Sequence, residues 1–152
     1  MMSAISKAPF DKRTGGCLCG AVRFTATPSD GEFGICHCGM CRRWSAGPFF
    51  AMDCSTTVQI EDPSKLGVYR SSEWAERCFC NVCGSVLFYR LVGKDTHFVS
   101  VEAFDDRSGL SLTNEIFIDE KPSYYDFANA TEKMTGAEVF AAFGATEGSN
   151  VA

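Results

Sequence analysis

No stretch of this chain is apolar for long. Its uninterrupted hydrophobic segments run to a few residues, as in Pro48-Phe49-Phe50-Ala51-Met52. A membrane-spanning helix needs about 20, so no membrane crossing is expected. Met1 to Phe10 lack an apolar core followed by a small-residue cleavage site, so no secretory leader is read there and a cytoplasmic setting is expected. Positive charge is in deficit: 14 Lys and Arg against 19 Asp and Glu leave a net charge of −5. That argues against nucleic acid or an anionic membrane as partner. The sequence also lacks a fixed-period repeat and any low-complexity tract. Its 152 residues, 45% hydrophobic with 13 Phe, suit one domain with a real core rather than a disordered chain.

Short β patterns recur between turn residues. Ala21–Ala26, Pro48–Met52, Thr56–Ile60, Gly67–Arg70, Val86–Val92, His97–Phe104 and Glu115–Asp119 read as strands. Gly15-Gly16, Pro28–Gly31 and Glu61–Ser64 read as turns. Thr135-Gly136-Ala137-Glu138 has the spacing of a capping box, and Val139, Phe140 and Phe143 then share a helical face that Gly144 ends. The expected fold is mainly β with a short C-terminal helix. The expected organisation is an arm over 1–14, one domain over 15–145 and a tail over 146–152.

What the chain has in abundance is cysteine, nine in all. The count is odd and no export signal is read, so metal binding is a better explanation than disulfides. Three clusters stand out: Cys17-Leu18-Cys19-Gly20, Cys36-His37-Cys38-Gly39-Met40-Cys41 and Cys80-Asn81-Val82-Cys83-Gly84. The third is a knuckle that offers two thiolates across a tight turn. The first offers two more if Cys17 and Cys19 lie on an extended strand facing one side. Together they make a closed four-cysteine site of the kind structural zinc prefers. The second cluster supplies three thiolates. Three protein ligands with an open fourth position is a catalytic zinc arrangement; a second structural zinc completed by His37 or Cys54 is the competing reading. His37 lies between two ligands, so its side chain is expected to point away. Arg42 and Arg43 can offset the charge of a zinc trithiolate or hold a substrate carboxylate, or simply form a solvated turn. Cys54 and Cys78 are expected to be buried free thiols, and His97 a structural or surface histidine.

These motifs run in a recognisable order: G-x-C-x-C-G-x-V-x-F at Gly15–Phe24, C-H-C-x-x-C-R-R at Cys36–Arg43, Ser71-Ser72, and R-x-F-C-x-x-C-G-S at Arg77–Ser85. From about Gly15 to Phe127 the chain resembles the family of glutathione-dependent formaldehyde-activating enzyme and centromere protein V. The resemblance implies a zinc-stapled β-tent of antiparallel sheets. It implies structural zinc on Cys17, Cys19, Cys80 and Cys83, and a labile zinc on Cys36, Cys38 and Cys41 that is open to a glutathione thiol. The implied activity is that of a carbon–sulfur lyase, forming or splitting S-hydroxymethylglutathione, with glutathione or a similar thiol and a small aldehyde as partners. The alternative is a zinc-stapled module that carries a thiol or binds a protein, as the centromere-associated relatives suggest. Two departures from the family pattern fall near the expected pocket: Tyr124-Tyr125 in place of a Trp, and Glu115 in place of a His.

Overall fold

The structure, a computed structural model, describes residues 10–143. Most of the expected arm, Gly144 at the expected helix stop and the expected tail lie outside the described residues. Among the described residues, eleven strands make two sheets. The smaller sheet joins β1 (Arg13–Gly16), β2 (Arg23–Ala26) and β5 (Gln59–Ile60). The larger is built from β3 (Glu32–Cys36), β4 (Phe49–Ser55), β6 (Leu66–Arg70), β7 (Ala75–Cys80), β8 (Val86–Leu91), β9 (His97–Ser100), β10 (Ser111–Ile116) and β11 (Glu132–Met134). Its order is β11-β10-β3-β4-β9-β8-β7-β6. The α-helices among the described residues are α1 (Gly39–Ser45) and α2 (Gly136–Phe143). No helix among the described residues is long and apolar enough to cross a membrane.

The two sheets share one core. Phe24 and Ala26 of β2, with Val22 just before it, pack with Met52, Leu87, Phe88 and Val99 of the large sheet, and Phe104 closes the side. Alternation in β2 and β9 explains this, because successive side chains point to opposite faces. A fully buried Phe such as Phe24 contributes about 1.5–3 kcal/mol by removal from water. A second cluster, Phe49, Phe117, Val139 and Phe140, packs around Cys36 and Cys41. The capping box forms as read: Glu138 N–H donates to Thr135 Oγ1 at 3.2 Å, and Thr135 N–H donates to Glu138 Oε1 at 2.7 Å.

The structure corrects several expectations. Gly15-Gly16 is not a turn but part of β1, which also takes in Arg13 and Thr14 of the expected arm. Glycine is needed there for close approach: a Cβ on Gly15 would meet the Ala103 carbonyl oxygen at 2.5 Å. The strand expected at Glu115–Asp119 ends at Ile116, because Phe117 takes the left-handed conformation (φ 55, ψ 44). Thr56–Val58 falls in a loop, leaving Gln59–Ile60 as the strand, and β9 gives way to a 3₁₀ turn at Val101–Ala103. The sheets are antiparallel except around β10, which runs parallel to both β3 and β11. That exception brings Glu115 beside the end of β3, where the second cysteine cluster begins.

Candidate metal centres

The sulfurs of Cys17, Cys19, Cys80 and Cys83 all lie within 4.8 Å of one another. Cys17 and Cys19 are not on a strand, as the sequence reading had them. They form a turn between β1 and β2, closed by Gly20 at φ +84. Cys17 Sγ accepts from Val22 N–H at 3.2 Å, and Cys19 Sγ accepts from Ala21 N–H at 3.5 Å. The second knuckle repeats the device. Gly84 sits at φ +81, and Cys80 Sγ accepts from the N–H groups of Val82 and Cys83 at 3.3 and 3.4 Å. Positive φ is the conformation that only glycine adopts freely. Hydrogen bonds from Ser85, through its side chain and backbone, hold the Cys83 thiol down to about 5. The donor set fits a single metal ion. Four sulfurs at about 2.3 Å from one zinc would stand about 3.8 Å apart, and Cys17–Cys19 and Cys19–Cys80 are 3.7 and 3.8 Å apart.

The sulfurs of Cys36, Cys38 and Cys41 also lie within 4.8 Å of one another. Cys36 ends β3, Cys38 caps α1, and Cys41 lies in the first turn of that helix, its N–H donating to Cys38 Sγ at 3.3 Å. The helix ends on Ala46 in the left-handed conformation, whose N–H returns to the Arg42 carbonyl. The three thiols share their protons unequally. Hydrogen bonds from Cys36 and Cys41 bring Cys38 down to about 2, while the same contacts and burial push Cys36 well above the usual thiol range. Cys41, despite the lowering bond from Cys36, is pushed up to about 11 by Cys38 and burial, so the charge of the three thiols settles on Cys38.

His37 takes no part in that cluster. Its ring is buried, with Nε2 2.7 Å from Glu115 Oε1 and Nδ1 2.8 Å from the Tyr125 hydroxyl. Its N–H donates to the Ile116 carbonyl at 3.1 Å, and its carbonyl accepts from Arg42 Nε at 2.9 Å. Glu115, also buried, accepts from the Thr131 hydroxyl at 2.6 Å and lies 3.9 Å from Lys133 Nζ. Burial opposes the Glu115 charge, but the bonds from Thr131 and His37 outweigh it and keep the carboxyl below its usual range. The two departures noted in the sequence, Glu115 and Tyr125, are therefore the two partners of His37. Cys54 does not complete the cluster either. It lies with Cys78 in the main core, each fully buried, and burial pushes them up to about 12 and about 11. His97 is structural, its Nδ1 3.2 Å from the Ser55 carbonyl and its ring edge-on to Phe88.

The arginines divide differently from expectation. Arg42 is half-buried and tied to the His37 carbonyl, and Arg43 is exposed on α1. The cation that touches a cluster sulfur is Arg77 of β7, whose Nη1 lies 3.4 Å from Cys41 Sγ. The sequence signal was present, since Arg77 opens the R-x-F-C motif, but the 36 positions between it and Cys41 hid the contact.

A two-sheet β domain with one four-sulfur and one three-sulfur cluster falls in the class of cysteine-rich β proteins whose clusters could each hold a metal ion. Comparison with known proteins narrows the class. Residues 12–120 match the model of the glutathione-dependent formaldehyde-activating enzyme family, and the chain belongs to that family. It is 36% identical over 126 residues to an uncharacterized lyase of Schizosaccharomyces pombe, covering 82% of this chain and 92% of that protein. It is 31% identical over 83 residues to a Halomonas elongata protein named as a candidate glutathione-dependent formaldehyde-activating enzyme, covering 49% of this chain and 53% of that one. A solved Rhodobacter sphaeroides structure shares the fold, with a TM-score of 0.54 and 22% identity over 66% of this chain and 99% of that chain.

Proposed function

We propose that this chain is a zinc-binding, carbon–sulfur lyase-like enzyme that forms or splits a thiol–aldehyde adduct, with S-hydroxymethylglutathione, from glutathione and formaldehyde, as the leading candidate. The observation that carries the reading is the three-sulfur cluster. Cys36, Cys38 and Cys41 converge while His37, the nearest further donor in sequence, is held by Glu115 and Tyr125. Three protein sulfurs would hold one zinc and leave a coordination position for an external thiol, and Cys17, Cys19, Cys80 and Cys83 would hold a second zinc as a staple. Bound there, zinc supplies a lowered thiol pKa and a fixed position for sulfur.

The chain's own residues account for the rest. In this reading Arg42 and Arg43 of α1 would hold the glutathione carboxylates. The Glu115–His37–Tyr125 chain fixes the loop that presents the cysteines. In the forward direction the glutathione thiol gives its proton to water and its sulfur bonds to the formaldehyde carbon. The carbonyl electron pair moves to oxygen, which takes a proton from water. Splitting is the reverse. Holding the two reactants together supplies the gain in rate. The reading requires a reducing, cytoplasmic setting, where the cysteines stay free. Exchange spectroscopy by NMR on formaldehyde and glutathione tests it: the protein should speed exchange between free and adduct signals. Unchanged exchange, with glutathione still bound, would leave a thiol-carrying module instead.

A further inference from the structure

Arg77 is a cation taken out of water. It is 4% exposed, and its guanidinium carbon lies 5.0 Å from the Trp44 ring centroid and 5.2 Å from that of Tyr89. Nη1 donates to Cys41 Sγ at 3.4 Å, while Nε is buried without a hydrogen-bond partner. A buried charge is costly unless an opposite charge faces it, and an unmet N–H adds to the cost. Other arginines do not share this position. Arg42 donates its Nε to a backbone carbonyl, and Arg90, on the neighbouring strand, is paired with Glu76 at 2.8 Å. What Arg77 faces is sulfur. Its two aromatic walls favour a cation over a neutral side chain.

We propose that Arg77 is the counter-charge of the three-cysteine centre and sets how tightly that centre holds its metal. This rests on the reading that Cys36, Cys38 and Cys41 hold a metal. Three thiolates around a divalent ion leave one negative charge, and a fourth, external thiolate leaves two. A guanidinium in contact with Cys41 offsets one of them in either state. It remains protonated throughout, since arginine does not titrate in proteins. Arg77 is therefore a positioning residue that acts through Cys41, and it makes the centre favour an anionic thiolate over a neutral ligand.

The test compares zinc release to a chromogenic chelator from the wild-type protein, Arg77→Lys and Arg77→Gln. Lysine keeps the charge; glutamine keeps a donor without it. The glutamine variant should release the looser zinc equivalent about tenfold to a hundredfold more readily, the range expected for one hydrogen bond to a charged group. The lysine variant should stay within about tenfold of wild type. The tighter equivalent, on the four-cysteine site, should not move in either. Equal release from the two variants, or a parallel shift of both equivalents, overturns the proposal. If no neutral residue at 77 allows folding, a background with Cys36, Cys38 and Cys41 all changed to Ser decides it. There Arg77→Gln should be tolerated, because the charge it faced is gone, and continued failure to fold overturns the assignment. If wild-type protein binds no glutathione while the zinc ordering holds, the adduct chemistry fails and the role of Arg77 stands.

Discussion

Replacing Cys19 with Ser isolates the contribution of the four-sulfur staple to stability. Cys19 is exposed, so the change opens no core cavity, and a serine hydroxyl can still accept the N–H of Ala21. What it removes is a sulfur 3.8 Å from Cys80, across 61 positions of chain. A cross-link closing a loop of that length restricts the unfolded chain by about 4 kcal/mol on the chain-entropy relation, all of it lost once the remaining sulfurs of Cys17, Cys80 and Cys83 release the ion. Domains of this size are stable by about 5–15 kcal/mol in all, so the loss is a large share. At about 2–4 °C per kcal/mol, Tm should fall by about 8–16 °C. Differential scanning calorimetry of the zinc-loaded proteins measures it. Chelation supplies the control: without metal, wild type and variant should melt together within about 0.5 kcal/mol, as surface substitutions do. A difference that survives chelation would refute the staple.

Three further outcomes are expected. Cys38→Ser should lose one zinc equivalent by elemental analysis while its Tm falls by only a few degrees; a drop as large as that of Cys19→Ser would erase the division between the two clusters. Glu115→Gln should cost about 1–3 kcal/mol near neutral pH, the worth of a charged hydrogen bond. Because its carboxyl is held below the usual 4.5, that stability is complete above 4.5 and fades as pH falls through the lower folded value, so urea melts of wild type and variant should converge in acid. Glutathione should bind more tightly than S-methylglutathione in isothermal titration, since a thioether cannot become a thiolate, and Arg42→Ala should weaken glutathione more than a thiol without carboxylates.

The parts of the fold that the sequence makes legible are those set by neighbours in the chain. The capping box at Thr135–Glu138 and the pairing of each knuckle with a following glycine are local features. The helix α1 is not legible, because Gly39–Ser45 shows no amphipathic repeat; Cys38 starts it and Ala46 ends it. The knuckle at Cys17–Cys19 reads as a strand when i and i+2 spacing is considered alone, although Gly20 marks it as a turn in the same way that Gly84 marks the other. The partners of His37 are invisible locally, since Glu115 is 78 positions away and arrives through the parallel pairing of β10 with β3. Parallel pairing leaves no hairpin signal, because its two strands are joined by a distant connection.

Sequence separation also explains why one cluster suits a staple and the other suits chemistry. The Cys36–Cys41 loop closes only a few residues, for which the same chain-entropy relation yields about 2 kcal/mol. Its conformation is already held without metal: Arg42 N–H bonds to the Cys38 carbonyl at 2.9 Å, Gly39 N–H to Glu120 Oε1 at 2.8 Å, and the His37 ring to Glu115 and Tyr125. A metal held there would add little to folding and could be gained, lost or shared with an outside ligand while the domain stays intact. The four-sulfur site would have no such freedom, since releasing an ion there would open a loop of 61 positions between Cys19 and Cys80. If this fold exchanges a ligand at one sulfur cluster, it stays most stable when the exchange happens at the local one, beside the buried cation Arg77.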